Sequence, residues 1–200
     1  MNATPEGAAA RKPQGGLSLV VGETASPLSS LTIGEWLDAT AGRHGDSPAC
    51  IFHAEGLCWS WAQLRDKADR LAAGLLQLGF AKGDRLGIWS PNRSEWVLAQ
   101  YASARIGVVL VNINPAYRLA ELEYALNKVG CKGLISAPGF KTSAYLQMLQ
   151  VLAPELAHCA PGALHSAKLP QLRCVIRMGE AATPGMFNLG QVLALAEVEH

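Results

Sequence analysis

Charge of one sign is what this sequence has least of. Its 17 Lys and Arg stand against 16 Asp and Glu, a formal balance of +1 at neutral pH. With no surplus of positive charge to neutralise a phosphate backbone, nucleic acid is excluded as a partner. Long apolar runs are missing as well. Spanning a bilayer takes roughly 18 consecutive apolar residues, and Arg105, Asn112 and Asn114 interrupt the most hydrophobic region. No transmembrane segment is expected.

The five cysteines, Cys50, Cys58, Cys131, Cys159 and Cys174, are odd in number and widely spaced, with no C-x-x-C pair and no cluster of His beside them. That pattern argues against a disulfide framework and against a zinc site, and for scattered buried thiols in a reducing compartment. The first 16 residues carry Arg11 and Lys12 but no apolar core. A secretory signal is therefore absent, and the cytoplasm is the expected location, with the mitochondrial matrix as second choice.

The familiar signatures of chemistry are lacking too. No G-x-x-x-x-G-K-[ST] and no G-x-G-x-x-G follows any strand-like run, so neither common sequence route to a phosphate site at a helix N-terminus is present. There is no G-x-S-x-G, no H-E-x-x-H, and no pair of carboxylates spaced for acid and base work.

What is present is a globular composition. Half of the 200 residues are hydrophobic and 16% are charged, while 20 Gly and 11 Pro punctuate the apolar runs. A chain of this length buries about 70% of its unfolded surface. Residues 1–30, rich in Ala, Gly, Pro, Ser and Thr, read as a mobile tail and loosely attached arm, with folded structure from 31 to 200.

Ile33, Trp36, Leu37 and Ala41 recur at helical spacing up to Gly42, a helix stop. Two short runs, 49–52 and 56–59, predict a small N-terminal hairpin. Ser60 and Gln63 have capping-box spacing, and Leu64, Ala68, Leu71, Ala72, Leu75 and Leu78 mark one helical face that stops at Gly79.

Strand and helix then alternate. Strands are expected at 85–89, 108–111, 133–136 and 173–178. Between and after them, helices are expected from an Asn92–Glu95 capping box to Gly107, over 119–129, 141–152 and 189–198. Such alternation predicts an α/β fold, a mostly parallel sheet with helices on both faces joined by right-handed crossovers. Apolar residues continue almost to His200, so the fold is expected to be incomplete at the C-terminus.

Ligands of open parallel sheets bind beyond the strands' carboxyl ends. This singles out Asn112, Asn114, Tyr117 and Arg118 after one strand, and Trp89, Ser90, Pro91 and Asn92 after another. The bland reading, in which Asn and Pro build a turn and Arg118 solvates a helix start, is favoured over ligand contact. His53, His158 and His165 stand alone as surface or loop residues. Trp59, Trp61 and Trp96 read as core.

One ordered string of motifs goes further. Trp59-Ser60-Trp61-Ala62-Gln63-Leu64 comes first, then Lys82-Gly83-Asp84-Arg85-Leu86-Gly87-Ile88, Pro91-Asn92 and Gly107 to Val111. Asn114-Pro115-Ala116-Tyr117-Arg118, Glu121 to Leu126 and Val129-Gly130-Cys131-Lys132 follow. In order and spacing the string resembles the adenylate-forming, AMP-binding superfamily, from about Leu17 to the end. Phe140-Lys141-Thr142 and Pro161-Gly162-Ala163-Leu164 resemble its fatty acyl-CoA synthetases of medium-chain or broad chain-length preference.

The resemblance implies a fatty acid–CoA ligase that joins a carboxylate to the α-phosphate of ATP, with Mg²⁺ offsetting the phosphate charge, and then passes the acyl group to coenzyme A. It implies the first α/β subdomain of such an enzyme, a fatty acid partner, and a homodimer as in some relatives. The family's Thr/Ser/Gly-rich phosphate loop, ribose-binding acid and C-terminal Lys have no counterpart in residues 1–200. No catalytic, cofactor-binding or metal residue is therefore assigned, and the segment is expected to be inactive alone. Three competing readings are a noncatalytic interaction or regulatory module on the same scaffold, a ligase for an aryl or amino acid, and, last, an unrelated flavodoxin-like domain, which leaves the motif string unexplained.

Overall fold

The computed structural model describes Gly16 and residues 28–197. The tail and arm expected over 1–30 lie mostly outside the described residues, as does the end of the last expected helix. The chain divides into two compact units, Met1–Ser30 and Leu31–His200, and every element below belongs to the second.

Helix α1 (Ile33–His44) opens on a capping box: Glu35 N donates to Thr32 Oγ1 at 3.2 Å and Thr32 N to Glu35 Oε2 at 2.7 Å. It runs past Gly42, which the sequence marks as a stop, and ends at Gly45. Strands β1 (Pro48–Phe52) and β2 (Leu57–Ser60) form the expected antiparallel hairpin. A 3₁₀ turn at His53–Glu55 joins them, closed by Gly56 at φ 64°.

Helix α2 (Trp61–Gln77) starts at the predicted Ser60–Gln63 box, with Gln63 N to Ser60 Oγ at 3.3 Å and Ser60 N to Gln63 Oε1 at 2.9 Å. Its face of Leu64, Ala68, Leu71, Ala72 and Leu75 is buried as the spacing requires. Next come β3 (Arg85–Trp89), α3 (Ser94–Arg105), β4 (Val109–Ile113), α4 (Leu119–Val129), β5 (Gly133–Ser136) and α5 (Tyr145–Leu152). A 3₁₀ turn at Pro154–Ala157, β6 (Cys174–Arg177), β7 (Phe187–Asn188), α6 (Leu189–Ala194) and a 3₁₀ turn at Leu195–Glu197 complete the order.

The main sheet has the order β4-β3-β5-β6-β7, with every neighbouring pair parallel. Strand β3 lies between β4 and β5, and its Leu86, Ile88 and Trp89 are fully buried. That is why the segment reads as a continuous apolar run rather than an alternating one. Helix α2 packs on α1, α3 and α6, α1 also packs on α3, and α4 packs on α5, so that helices flank the sheet.

Two expectations need correction, and one strand was not foreseen. Asn92 does not cap α3: the N-cap is Arg93, without a side-chain cap bond, and Glu95 turns to Arg93 instead. Helix α5 begins at Tyr145 and not at Lys141, because Lys141 sits at φ 51° in a turn where Phe140 and Ser143 exchange both backbone hydrogen bonds. The two-residue β7 is too short to leave a period in the sequence.

Candidate functional site

The carboxyl ends of β3 and β4 are held together by two aromatic side chains. Trp89, the last residue of β3, is completely buried and stacks on Tyr145 of α5, ring centroids 3.7 Å apart at 17°. Trp89 Nε1 donates to Asn114 O at 3.1 Å, and Tyr145 Oη donates to Pro115 O at 2.6 Å. Two aromatic side chains thus hold the loop after β4 by its part-buried backbone carbonyls.

The four residues singled out after β4 do not converge. Asn112 lies within the strand and is exposed. Asn114 Oδ1 accepts from Ala116 N at 2.9 Å while Tyr117 N donates to Asn114 O at 3.0 Å, a turn built by its own Asn. Tyr117 packs partly buried against the core. Arg118 Nη1 donates to Ser143 Oγ at 2.7 Å and Arg118 N to Glu121 Oε2 at 3.1 Å, so this residue ties the start of α4 to the turn before α5.

After β3, Ser90 is buried with its hydroxyl on Pro91 O at 2.7 Å. Asn92 is exposed on a cavity of about 240 Å³ shared with Phe52, His53 and Trp96. His158 and His165 are exposed loop residues. Trp59 belongs to the core, and Trp61 and Trp96 pack against it, as expected. All five cysteines are free. Cys131 and Cys174 are buried, Cys50 and Cys159 are half-buried, and Cys58 is exposed, against the expectation that all are inside.

An opening at this end of the sheet is a cleft of about 460 Å³ between the hairpin, the start of α3, the loop after β6 and α6. Trp59, Lys67, Arg93, Glu95, Gly179 and Glu180 are among its walls. Its charges are mostly committed: Arg93 Nε meets Glu95 Oε2 at 3.0 Å, and Lys67 Nζ rests 5.4 Å from the centroid of the Trp59 ring. Glu95 bonding raises the pKa of Arg93 against the opposing effect of burial, so the guanidinium stays charged.

The first turn of α3, which points into this region, is already filled. Glu55 of the hairpin accepts from Ser94 N at 2.9 Å and from Ser94 Oγ at 2.6 Å, occupying the place that a phosphate takes at a free helix N-terminus. Among the described residues no group of three or more His, Cys, Asp or Glu could hold a metal ion. The N-terminus of α3 is taken by the chain's own carboxylate rather than left open to a phosphate.

Sequence reasoning missed Glu55, for which no local signal exists across 39 residues. It also missed Arg177, whose Nε and Nη1 are buried without a hydrogen-bond partner at the carboxyl end of β6. Among the described residues no helix is long and apolar enough to cross a membrane.

Comparison with known proteins gives this scaffold its context. The family described as AMP-binding enzyme matches residues 37–187. The medium-chain acyl-CoA ligase ACSF2, mitochondrial, of Rattus norvegicus is 48% identical over 182 residues, covering 91% of this chain and 29% of the relative. Its Homo sapiens counterpart is 46% identical over the same shares. A putative acyl-CoA synthetase, YngI, of Bacillus subtilis is 34% identical over 166 residues, covering 83% and 30%.

Among solved structures, acetoacetyl-CoA synthetase from Streptomyces lividans superposes with a TM-score of 0.68 at 25% identity, covering 82% of this chain and 25% of that one. An anthranilate CoA ligase bound to anthranoyl-AMP gives 0.68 at 18% identity, over 82% and 28%, a likeness of fold. The chain spans roughly three-tenths of the length of these curated relatives. With the family match extending over residues 37–187, the chain belongs to the AMP-binding enzyme family.

Proposed function

We propose that residues 31–200 form the N-terminal α/β subdomain of an ATP-dependent fatty acid–CoA ligase acting on medium-chain acids. The supporting observation is the 48% identity over 91% of the chain to a medium-chain acyl-CoA ligase. In this reading the reaction converts a fatty acid, ATP and coenzyme A to acyl-CoA, AMP and pyrophosphate. ATP, Mg²⁺ and coenzyme A are held by parts of the enzyme other than the residues described. This segment supplies a rigid wall: a five-stranded parallel sheet whose strand-end loops are locked by Trp89, Tyr145 and Glu55. The names of the mammalian relatives favour the mitochondrial matrix over the cytoplasm, and self-association into a homodimer belongs to the same reading.

The test is to purify the natural gene product and, separately, residues 1–200, and to follow AMP and acyl-CoA formation from ATP, coenzyme A and octanoate. The expected result is octanoyl-CoA from the natural product and none from the segment. Turnover of an aryl or amino acid in preference to octanoate would replace the fatty acid assignment. A natural product that ends at His200 and makes no acyl-CoA would turn the reading into a noncatalytic interaction module.

A further inference from the structure

The parallel register sets five residues in one row across the carboxyl end of the sheet: Ile113, Trp89, Ser136, Arg177 and Asn188. Register partners point to the same face, so these side chains share the face that Tyr145 of α5 covers at Trp89. Most polar members of the row have partners. Trp89 Nε1 donates to Asn114 O at 3.1 Å, and Ser136 Oγ donates to Ala137 O at 2.9 Å. Asn188 donates through Nδ2 to Glu180 O at 3.0 Å and accepts through Oδ1 from Gln191 N at 2.8 Å.

Arg177 is the exception. Its Nε and Nη1 are buried without a hydrogen-bond partner. Glu180, the acid nearest to it in sequence, is directed to the first turn of α6, where its Oε2 stands 2.8 Å from the place of a Cβ on Gly190. A guanidinium is effectively always charged, so Arg177 has no neutral form that would lower the cost of burial. A charged donor left unpaired inside a protein costs more than a neutral one.

We propose that Arg177 is the seat of a small carboxylate ligand at the carboxyl end of β6. Open parallel sheets admit ligands at this end of their strands. Nη2 lies between the two unpartnered nitrogens on the planar fork. A carboxylate that reaches Nη2 therefore takes one hydrogen bond from it and a second from Nε or Nη1.

The charge of the row selects the class of ligand. Its other members, Ile113, Trp89, Ser136 and Asn188, include no second cation. A carboxylate neutralises one guanidinium, whereas a phosphate dianion would bring in a negative charge with nothing opposite it. One fork on one charge implies affinity in the millimolar range. The inference goes beyond the ligase reading and uses no step of that reaction.

Nuclear magnetic resonance of the full chain with ¹⁵N-labelled arginine reads the site directly. The Nε–H signal of Arg177, assigned through its own backbone, is expected to shift saturably as sodium acetate is added. Sodium chloride at the same ionic strength screens charge but offers no pair of oxygens, and is expected to leave the signal in place. Sodium phosphate is expected to shift it less than acetate does. Acetate is also expected to raise the melting temperature of the parent and not that of Arg177→Met. Arg177→Lys, which keeps the charge and loses the fork, is expected to bind acetate about tenfold more weakly.

An Arg177 signal that ignores acetate, or that chloride moves as far, overturns the proposal. So does stabilisation by acetate that persists in Arg177→Met. A phosphate response stronger than that of acetate overturns the carboxylate class. Because the signal is read in the parent chain, a variant that fails to fold does not remove the test. None of these outcomes affects the ligase reading, which acyl-CoA formation decides alone.

Discussion

Glu55 grips Ser94 twice across 39 residues of chain, by the backbone amide at 2.9 Å and the hydroxyl at 2.6 Å. A residue of the hairpin's 3₁₀ turn is thus the N-terminal cap of α3, whose own N-cap, Arg93, makes no side-chain cap bond. The hairpin is not an ornament beside the sheet. It supplies the negative charge that the dipole of α3 favours.

Glu55→Ala is expected to cost about 1 kcal/mol, in the range of a lost helix cap. A urea titration of the variant should move its midpoint downwards with an unchanged slope. Ser94→Ala, which keeps the backbone bond and removes only the hydroxyl, should cost less.

A second lock is the stacked pair Trp89 and Tyr145. Tyr145→Phe keeps the ring on Trp89 but leaves Pro115 O without its 2.6 Å donor. The expected loss is about 1 kcal/mol, the net worth of one hydrogen bond to a part-buried carbonyl. Near-ultraviolet circular dichroism, which reports the packing of Trp89, should change little, and the thermal midpoint should fall.

The elements of the fold were legible where one local rule dominates. Ser60 and Gln63 announce α2, the buried face of α2 follows from 3.6-residue periodicity, and Arg85 to Trp89 reads as a buried strand because it lies between two others. The reading failed where a distant partner overrides local preference. Asn92 and Glu95 have the spacing of a box, but Glu55 takes the cap position from another part of the chain.

The same physics explains the candidate site. Asn114, Tyr117 and Arg118 look like ligand groups in a sequence, since their types suit binding, but Asn114 Oδ1 closes its own turn, Tyr117 packs partly buried against the core and Arg118 Nη1 goes to Ser143. Nothing in the sequence distinguishes a side chain committed to the backbone from a free one. The motif string carried the family because it records the order of turns and caps in this fold, for which composition alone has no signal.

Glycine at position 74, in the interior of α2, is set by the close approach of α6. A Cβ there would collide with the carbonyl oxygen of Val192 and touch its carbonyl carbon at 2.9 Å. Helix propensity alone predicts that Gly74→Ala stabilises by about 1 kcal/mol. The contact with backbone reverses the sign, since neither helix can yield without disturbing buried Leu75 and Val192. The variant is expected to melt lower than the parent, by an overpacking cost of about 1–3 kcal/mol. A higher melting temperature would show that α6 is loosely held.

The thiols divide by environment rather than by number, and a labelling experiment reads that division directly. Burial pushes Cys174 up to about 12 and Cys131 up to about 11, the latter against smaller opposing effects of Arg85 and the Gly87 backbone. Burial raises Cys50 as well, whereas Cys58 stands exposed on β2. Since the thiolate is the reactive species, and a buried thiol must also be uncovered by opening of the fold, a disulfide reagent at pH 8 is expected to label Cys58 first. Cys50 and Cys159 should follow, and Cys131 and Cys174 should react only at the rate of global unfolding. In denaturant all five should react together. If Cys131 reacted early in the native chain, the packing of β5 against β3, where this thiol lies close to Gly87, would have to be looser than the structure shows.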